Sequence, residues 1–343
     1  MHSMITQRQL NRALLARQGL LEPFDLPLPR VLEQVGGIQA QYAPSMYIGL
    51  WSRMQGFDRE QLTAALEDRT AVQGTLLRGT IHLVSRADYW AFALVARPLL
   101  REWFARVSKG EPPAAEVELD TAKLRAALAG GPISQSTIDG LLGRPARRWM
   151  NVFLDLLRVP PSGTWGRRRA DLYADAETEL GPPTPTVHQA EELLVRRYLA
   201  AFGPAARADI ASWAGLAVRA VASVLDRVDH VTYQGEDRST LVDLPGAPLP
   251  DSDQPVPVRF LPTWDATLLV HARRTQILPE RHRPKIFGTK TPFSFPTFLV
   301  DGAVAGTWRY DDGRIELTEF EQLPPSVRKE VEQAAEPLAT FHA

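Results

Sequence analysis

The stretch Ala206-Arg207-Ala208-Asp209-Ile210-Ala211-Ser212-Trp213-Ala214-Gly215-Leu216-Ala217-Val218-Arg219-Ala220-Val221-Ala222-Ser223-Val224-Leu225-Asp226-Arg227-Val228 reads as a helix over 206–214, a turn at Gly215 and a second helix over 217–228. It is the clearest helix-turn-helix in the chain. Residues 230–233 and 240–244 follow with strand-like character and form its hairpin. Helices followed by a two-stranded ribbon are the layout of a winged helix.

The same order occurs twice upstream. An amphipathic helix over 5–19 stops at Gly19, a proline-rich connector covers 22–29, and a short helix ends at Gly36-Gly37. A helix running to Met54 and another over 58–68, capped by Asp58, come next. Residues 71–84 then switch to two strands broken near Gly79, and an apolar helix over 88–107 closes the unit. After a polar linker at 109–118, helices are expected over 121–129, 134–142 and 146–158. An arginine-bearing wing at 164–169 completes that second unit. Beyond Pro257 the chain turns β-rich, with strands expected at 258–261 and 267–270 around Trp264 and Asp265. Phe298 to Gly306 is a hairpin signal, because Asp301-Gly302 suits a type I′ turn. The expected fold is α+β: three tandem winged-helix units (5–108, 121–180, 187–250) and a β-rich C-terminal region (255–343).

Working outward from these units, the junction Gly36-Gly37-Ile38-Gln39-Ala40-Gln41-Tyr42-Ala43-Pro44-Ser45 stands apart. The glycines stop one helix, and Pro44 sits where a first helical residue is favoured. If the link is extended, Gln39 and Gln41 point the same way, because a strand has period two. Two amides then lie beside a helix N-terminus, whose free N–H groups favour developing negative charge or a polarised water. Taken alone, the pair fits better with two amides satisfying the loose backbone ends of neighbouring helices.

The composition removes several function classes. With 343 residues and 44% hydrophobic side chains, the chain is an ordinary globular protein large enough for more than one domain. The absence of cysteine excludes disulfides, thiolate metal sites and a cysteine nucleophile. No apolar run reaches membrane-spanning length, and no signal-like region precedes Met4, a candidate natural start after a short leader. A cytoplasmic, nucleoid-associated location is expected, with no membrane partner. The net charge of −1 hides two basic patches: 144–169 carries seven arginines against Asp155, and 271–290 carries six basic residues against Glu280. Such patches on a neutral body suit an anionic partner, although each alone also fits solvated surface charge.

The chain resembles the AlkZ-like (YcaQ-type) winged-helix DNA glycosylases. The resemblance rests on Gly37-Ile38-Gln39-Ala40-Gln41, on Leu77-Arg78-Gly79-Thr80-Ile81-His82-Leu83-Val84, and on Phe202-Gly203-Pro204 with Asp209-Ile210-Ala211-Ser212-Trp213. Phe260-Leu261-Pro262-Thr263-Trp264-Asp265 and Val300-Asp301-Gly302 extend it to near residue 310. It implies a concave DNA-binding face, a catalytic Gln-apolar-Gln motif on Gln39 and Gln41, and monofunctional removal of N7-alkylated purines from double-stranded DNA. Glutamine at both ends follows the AlkZ branch, whose founder protects against a cross-linking antibiotic, whereas the YcaQ branch has aspartate second. Cross-link or bulky-adduct processing in repair or self-resistance is the least transferable implication.

Arg147, Arg148, Arg167, Arg168 and Arg169 are the best candidate phosphate contacts, and the Asp301-Gly302 hairpin is a candidate groove probe or else a sheet edge. His82 and the Trp264-Asp265 pair fit structural roles better than catalytic ones. No HExxH, paired histidines, P-loop or GxGxxG is present, so neither a metal nor another cofactor is expected. Excision should therefore survive exhaustive chelation by EDTA. Loss of activity restored by a divalent ion would overturn an amide-based mechanism. A second reading is a non-catalytic winged-helix transcriptional regulator. Against it stand the glutamine pair at a helix junction, tandem units in one chain and no obvious dimerisation helix, which together favour a monomeric enzyme.

Overall fold

The computed structural model describes residues 3–109, 112–269, 275–287 and 294–343. Within it the opening stretch folds as helices Arg207–Ala214 and Val218–Leu225, bent by 112°. Gly215 supplies the left-handed residue that ends the first helix, with φ of +76°. The antiparallel pair Val231–Gly235 and Thr240–Asp243 follows directly. A strand from the chain start, Ser3–Ile5, adds parallel to Val231–Gly235, so the N-terminus joins the third unit's sheet.

The central feature is a six-stranded sheet in the order Ile38–Gln39, Ile81–Ser85, Ala71–Thr75, Leu156–Arg158, Leu172–Asp175, Ile133–Ser134. The strands at 71–85 and those at 156–175 thus merge in one sheet, with Gln73 opposite Arg158 and Gly74 opposite Leu157 at the seam. Gly74 is required there, since a Cβ would lie 2.8 Å from the ring of Tyr89. Behind this sheet the long helix Arg86–Ser108 packs on Val187–Phe202, and Tyr89, Phe92, Tyr198, Phe202 and Trp213 fill the interface. Burying each such ring contributes about 1.5–3 kcal/mol.

The last sheet, Arg259–Leu261, Thr297–Val300, Ala303–Asp311 and Arg314–Glu319, is antiparallel throughout. The helix Pro325–His342 covers it with Val331, Ala335 and Leu338. Among the described residues no single helix is long and apolar enough to cross a membrane.

Three expected elements differ. Residues 146–158 are not one helix: a 3₁₀ turn at Arg144–Arg148 and the short helix Met150–Phe153 give way to the strand Leu156–Arg158. Pairing with Ala71–Thr75 on one side and Leu172–Asp175 on the other outweighs the helical pattern there. Residues 266–269 form the helix Ala266–Leu269 instead of a strand, because Asp265 accepts from Thr267 N at 3.0 Å and caps the turn; Val270 lies outside the described residues. The expected linker at 109–118 turns helical at Ala114, where Pro113 precedes a run of good helix formers.

Candidate active site

Gly36 and Gly37, with φ of +74° and +78°, end the helix Leu28–Val35 and turn the chain into an extended edge strand. That strand pairs Ile38 with Leu83 and Gln39 with His82, and Ala40 N donates to Ile81 O at 2.7 Å. Extension through this segment places both glutamine side chains on one face. Gln39 Nε2 donates to Gln41 Oε1, so the two amides lie side by side. Gln39 is buried and Gln41 is exposed. Tyr42 then leads into the helix Ala43–Trp51, with Pro44 in its first turn. Among the described residues, Gln39 Oε1 and Gln41 Nε2 have no protein partner, which leaves one acceptor and one donor free.

Two cavities meet at Gln41. One, of about 450 Å³, is lined by Arg78, Arg147, Arg158, Thr80, Asn151 and Trp103 besides Gln41. The other, of about 490 Å³, is aromatic: Tyr42, Trp264, Trp308, Tyr310 and His342 line it, with Arg168 beside them. Tyr310 and His342 stack with centroids 4.5 Å apart. Trp264 sits at φ of +58°, held by donation from its N to Ser294 Oγ at 2.6 Å. A tryptophan in that region is a conformational outlier, of the kind that clusters at functional sites.

A family model described as "DNA glycosylase AlkZ-like" matches residues 32–341. The chain belongs to that family. The match spans the glutamine pair, the first cavity and all of the aromatic cavity but His342, and the family's activity is hydrolysis of glycosyl bonds in DNA. No curated protein sequence matches. Among solved structures, the Streptomyces sahachiroi DNA glycosylase AlkZ superposes with a TM-score of 0.79 at 20% identity, covering 99% of this chain and 97% of that one. The likeness establishes a shared fold.

For an AlkZ-like glycosylase, the placement of the candidate arginines is uneven. Arg168 reaches the aromatic cavity, where its Nη1 donates to Tyr42 Oη at 3.1 Å. Arg167 and Arg169 share Asp171, at 2.9 and 3.2 Å. Arg147 lines the first cavity but is paired with Asp139. The side chain of Arg148 lies outside the described residues, as do 271–274 and 288–290 of the second basic patch.

Asp301 and Gly302, the candidate groove probe or sheet edge, sit on a hairpin with Asp301 exposed, and its tip packs against the N-terminal helix. Both residues have positive φ, as a type I′ turn requires, but the tip is bound to the helix Gln7–Arg17. Asp301 pairs with Arg8 and Arg12 at 2.9 and 2.5 Å, and Gly302 O accepts from Asn11 Nδ2 at 2.7 Å. Partial burial raises the Asp301 pKa, but the two guanidinium groups outweigh it and hold the carboxyl below its ordinary value. A Cβ at residue 302 would meet Asn11 Oδ1 at 2.5 Å, so only glycine fits on that side of the turn.

His82 is a core residue facing the back of the site. Burial, helped by the nearby Arg78, lowers its pKa to about 3, while Nδ1 bonds to Thr80 O at 3.0 Å. The unfolded imidazole titrates near 6.5. Its contribution is therefore fully present above pH 6.5 and is lost as pH falls from 6.5 towards 3, to a total of roughly 4–5 kcal/mol. The melting temperature should drop between pH 7 and pH 4, and His82→Gln should flatten that drop. Identical slopes in the two proteins would remove His82 from the acid response.

Sequence reasoning missed Arg78, Arg158, Tyr42, Trp308, Tyr310 and His342. Arg78 carried one signal: it sits between Leu77 and Gly79 at a strand break, and it adopts φ of +56°. His342 and Tyr310 come together only when the C-terminal helix folds back on the last sheet.

Proposed function

We propose that this protein is a monofunctional glycosylase that removes N7-alkylated purines from duplex DNA, with Gln39 and Gln41 as its catalytic residues. The observation that carries the reading is the adjoining amide pair, one acceptor and one donor left open, at the meeting point of two cavities. An N7-alkylguanine is cationic. When its C1′–N9 bond breaks, the electron pair neutralises the base, so the leaving group needs little general-acid help. What remains is to hold a water and to stabilise the oxocarbenium-like sugar. Gln39 Oε1 can accept from that water, and Gln41 Nε2 can anchor a polar group of the sugar or backbone. The water adds to C1′ and releases its proton to solvent. A carboxylate would be a stronger base, and its absence favours labile charged lesions over normal nucleotides.

The aromatic cavity suits the displaced base or the planar part of a bulky adduct. It also gives room for an adduct tethered to the opposite strand, which is how cross-link unhooking would be accommodated. The deciding experiment incubates the protein with duplex DNA containing one N7-methylguanine and then cleaves with alkali. Strand breaks at the lesion support the glycosylase. Retardation in a gel without breaks leaves a DNA-binding regulator.

Affinity is assigned to arginine contacts with phosphate, so binding should be salt-sensitive and weakly sequence-selective. Replacing Arg167, Arg168 and Arg169 together with Ala should weaken binding to all duplexes and flatten the salt slope. Because Arg167 and Arg169 are partly occupied by Asp171, Arg168→Ala alone should produce much of the effect. Unchanged affinity in the triple variant would take this loop off the DNA face.

A further inference from the structure

Four arginines are buried among the described residues: Arg12, Arg17, Arg53 and Arg158. Three have carboxylate partners. Arg12 pairs with Asp301, Arg17 with Asp243 and Arg53 with Asp265. Arg158 has none, and both its Nε and its Nη1 lack a hydrogen-bond partner. The titratable groups facing it are the phenols of Tyr173 and Tyr89, with its Cζ 5.5 Å from the Tyr173 ring centroid. Guanidinium does not shed its proton to escape burial, so this charge is held out of water with no carboxylate and only those phenols and the Tyr173 ring beside it.

The surroundings say what would compensate it. Arg158 lines the 450 Å³ cavity that opens at Gln41, and that lining contains three arginines and no acidic residue. Of the three, Arg147 is occupied by Asp139, and Arg78 donates through Nη1 to Trp213 O at 2.7 Å. Arg158 is the one with neither a carboxylate nor a backbone carbonyl partner among the described residues. Its place is fixed by the seam of the six-stranded sheet, where it sits opposite Gln73. A guanidinium held on a rigid strand at the wall of a cavity that two further arginines line and no carboxylate enters makes an anion site, and a phosphate ester suits that lining.

We propose that this cavity is a phosphate site, occupied by a phosphodiester of the substrate strand beside the lesion, with Arg158 as its anchor. The assignment to the lesion strand rests on the role given above to Gln41; the anion site itself does not. A phosphate held here fixes the adjoining sugar relative to the amide pair, and its arrival relieves the unpaired charge of the free enzyme.

Arg158→Met tests this, since it keeps length and removes charge. The free variant should melt at or above the wild-type temperature, because a buried charge with no carboxylate partner has gone. Wild type should be stabilised by millimolar inorganic phosphate at constant ionic strength, relative to chloride, and the variant should not respond. The concentration of duplex needed for half-saturation should rise about tenfold, and the salt slope should shrink by about one phosphate's worth. Arg158→Lys, which keeps the charge without the fork, serves if the methionine variant does not fold, and should lose most of the phosphate response.

A phosphate response in wild type that either variant retains in full would overturn the site. A lost phosphate response with unchanged duplex affinity and salt slope would overturn the DNA assignment and leave a free phosphate as the ligand. Neither readout needs base excision, so failure to release N7-methylguanine would defeat the proposed function without touching this result.

Discussion

Gln39→Ala and Gln41→Ala should each slow single-turnover excision of N7-methylguanine by about a hundred- to thousandfold, the usual cost of removing one preorganised polar contact at a transition state. Duplex affinity should barely move, because it is assigned to arginines. The structure sharpens the stability side of the experiment. Gln41 is exposed, so its replacement should leave the melting temperature almost unchanged, within about 0.5 kcal/mol. Gln39 is buried, and its amide donates to Gln41, so Gln39→Ala should cost on the order of 1 kcal/mol. The backbone pairing of Gln39 with His82 survives either change. Because each glutamine holds the other, the double variant should be far from additive and little slower than the worse single one. Normal excision by both variants, with lower melting temperatures, would make the motif a helix-end brace.

How much of this was legible in the sequence depends on how local each signal is. The helix-turn-helix at 206–228 was readable because Gly215 and the period-3.6 apolar residues specify it within one stretch. The adjacency of Gln39 and Gln41 was readable for the same reason, since two glycines and a proline bracket the strand on either side. Residues 156–158 were misread because their strand exists through tertiary pairing on both sides, with residues 172–175 and with residues 71–75, about eighty positions away. The C-terminal helix carried a fair signal in Val331, Ala335 and Leu338, spaced for one face, but the hairpin and strand signals before it made the whole of 255–343 read as β-rich. Arg158 was invisible as a special residue. In sequence it is one of seven arginines in a basic patch, and only its burial without a carboxylate distinguishes it.

Asp265→Ala should destabilise the protein by about 3–5 kcal/mol, the cost of leaving a buried charge without its partner. Asp265 is a carboxylate that a search for a catalytic base would pick, since its neighbour Trp264 lines the aromatic cavity. Its contacts assign it elsewhere. Oδ1 is 2.9 Å from Arg53 Nη2, and the same oxygen accepts from Thr267 N and Oγ1. Arg53 is buried and also reaches Gly49 O and Gln18 Oε1, so one ion pair ties the first helix, the helix after the glutamine pair and the C-terminal region together. Asp265→Asn, which keeps an acceptor for Thr267, should lose less. Combining Asp265→Ala with Arg53→Met should recover part of the loss, because no charge is then stranded. Denaturant midpoints measure all four proteins, and at a temperature where Asp265→Ala is folded its excision rate should stay within a few-fold of wild type. A fully folded Asp265→Ala protein with collapsed excision would make this carboxylate the catalytic base and take that role from the amides. An unchanged midpoint would show that Arg53 is compensated by Gln18 and Gly49 alone.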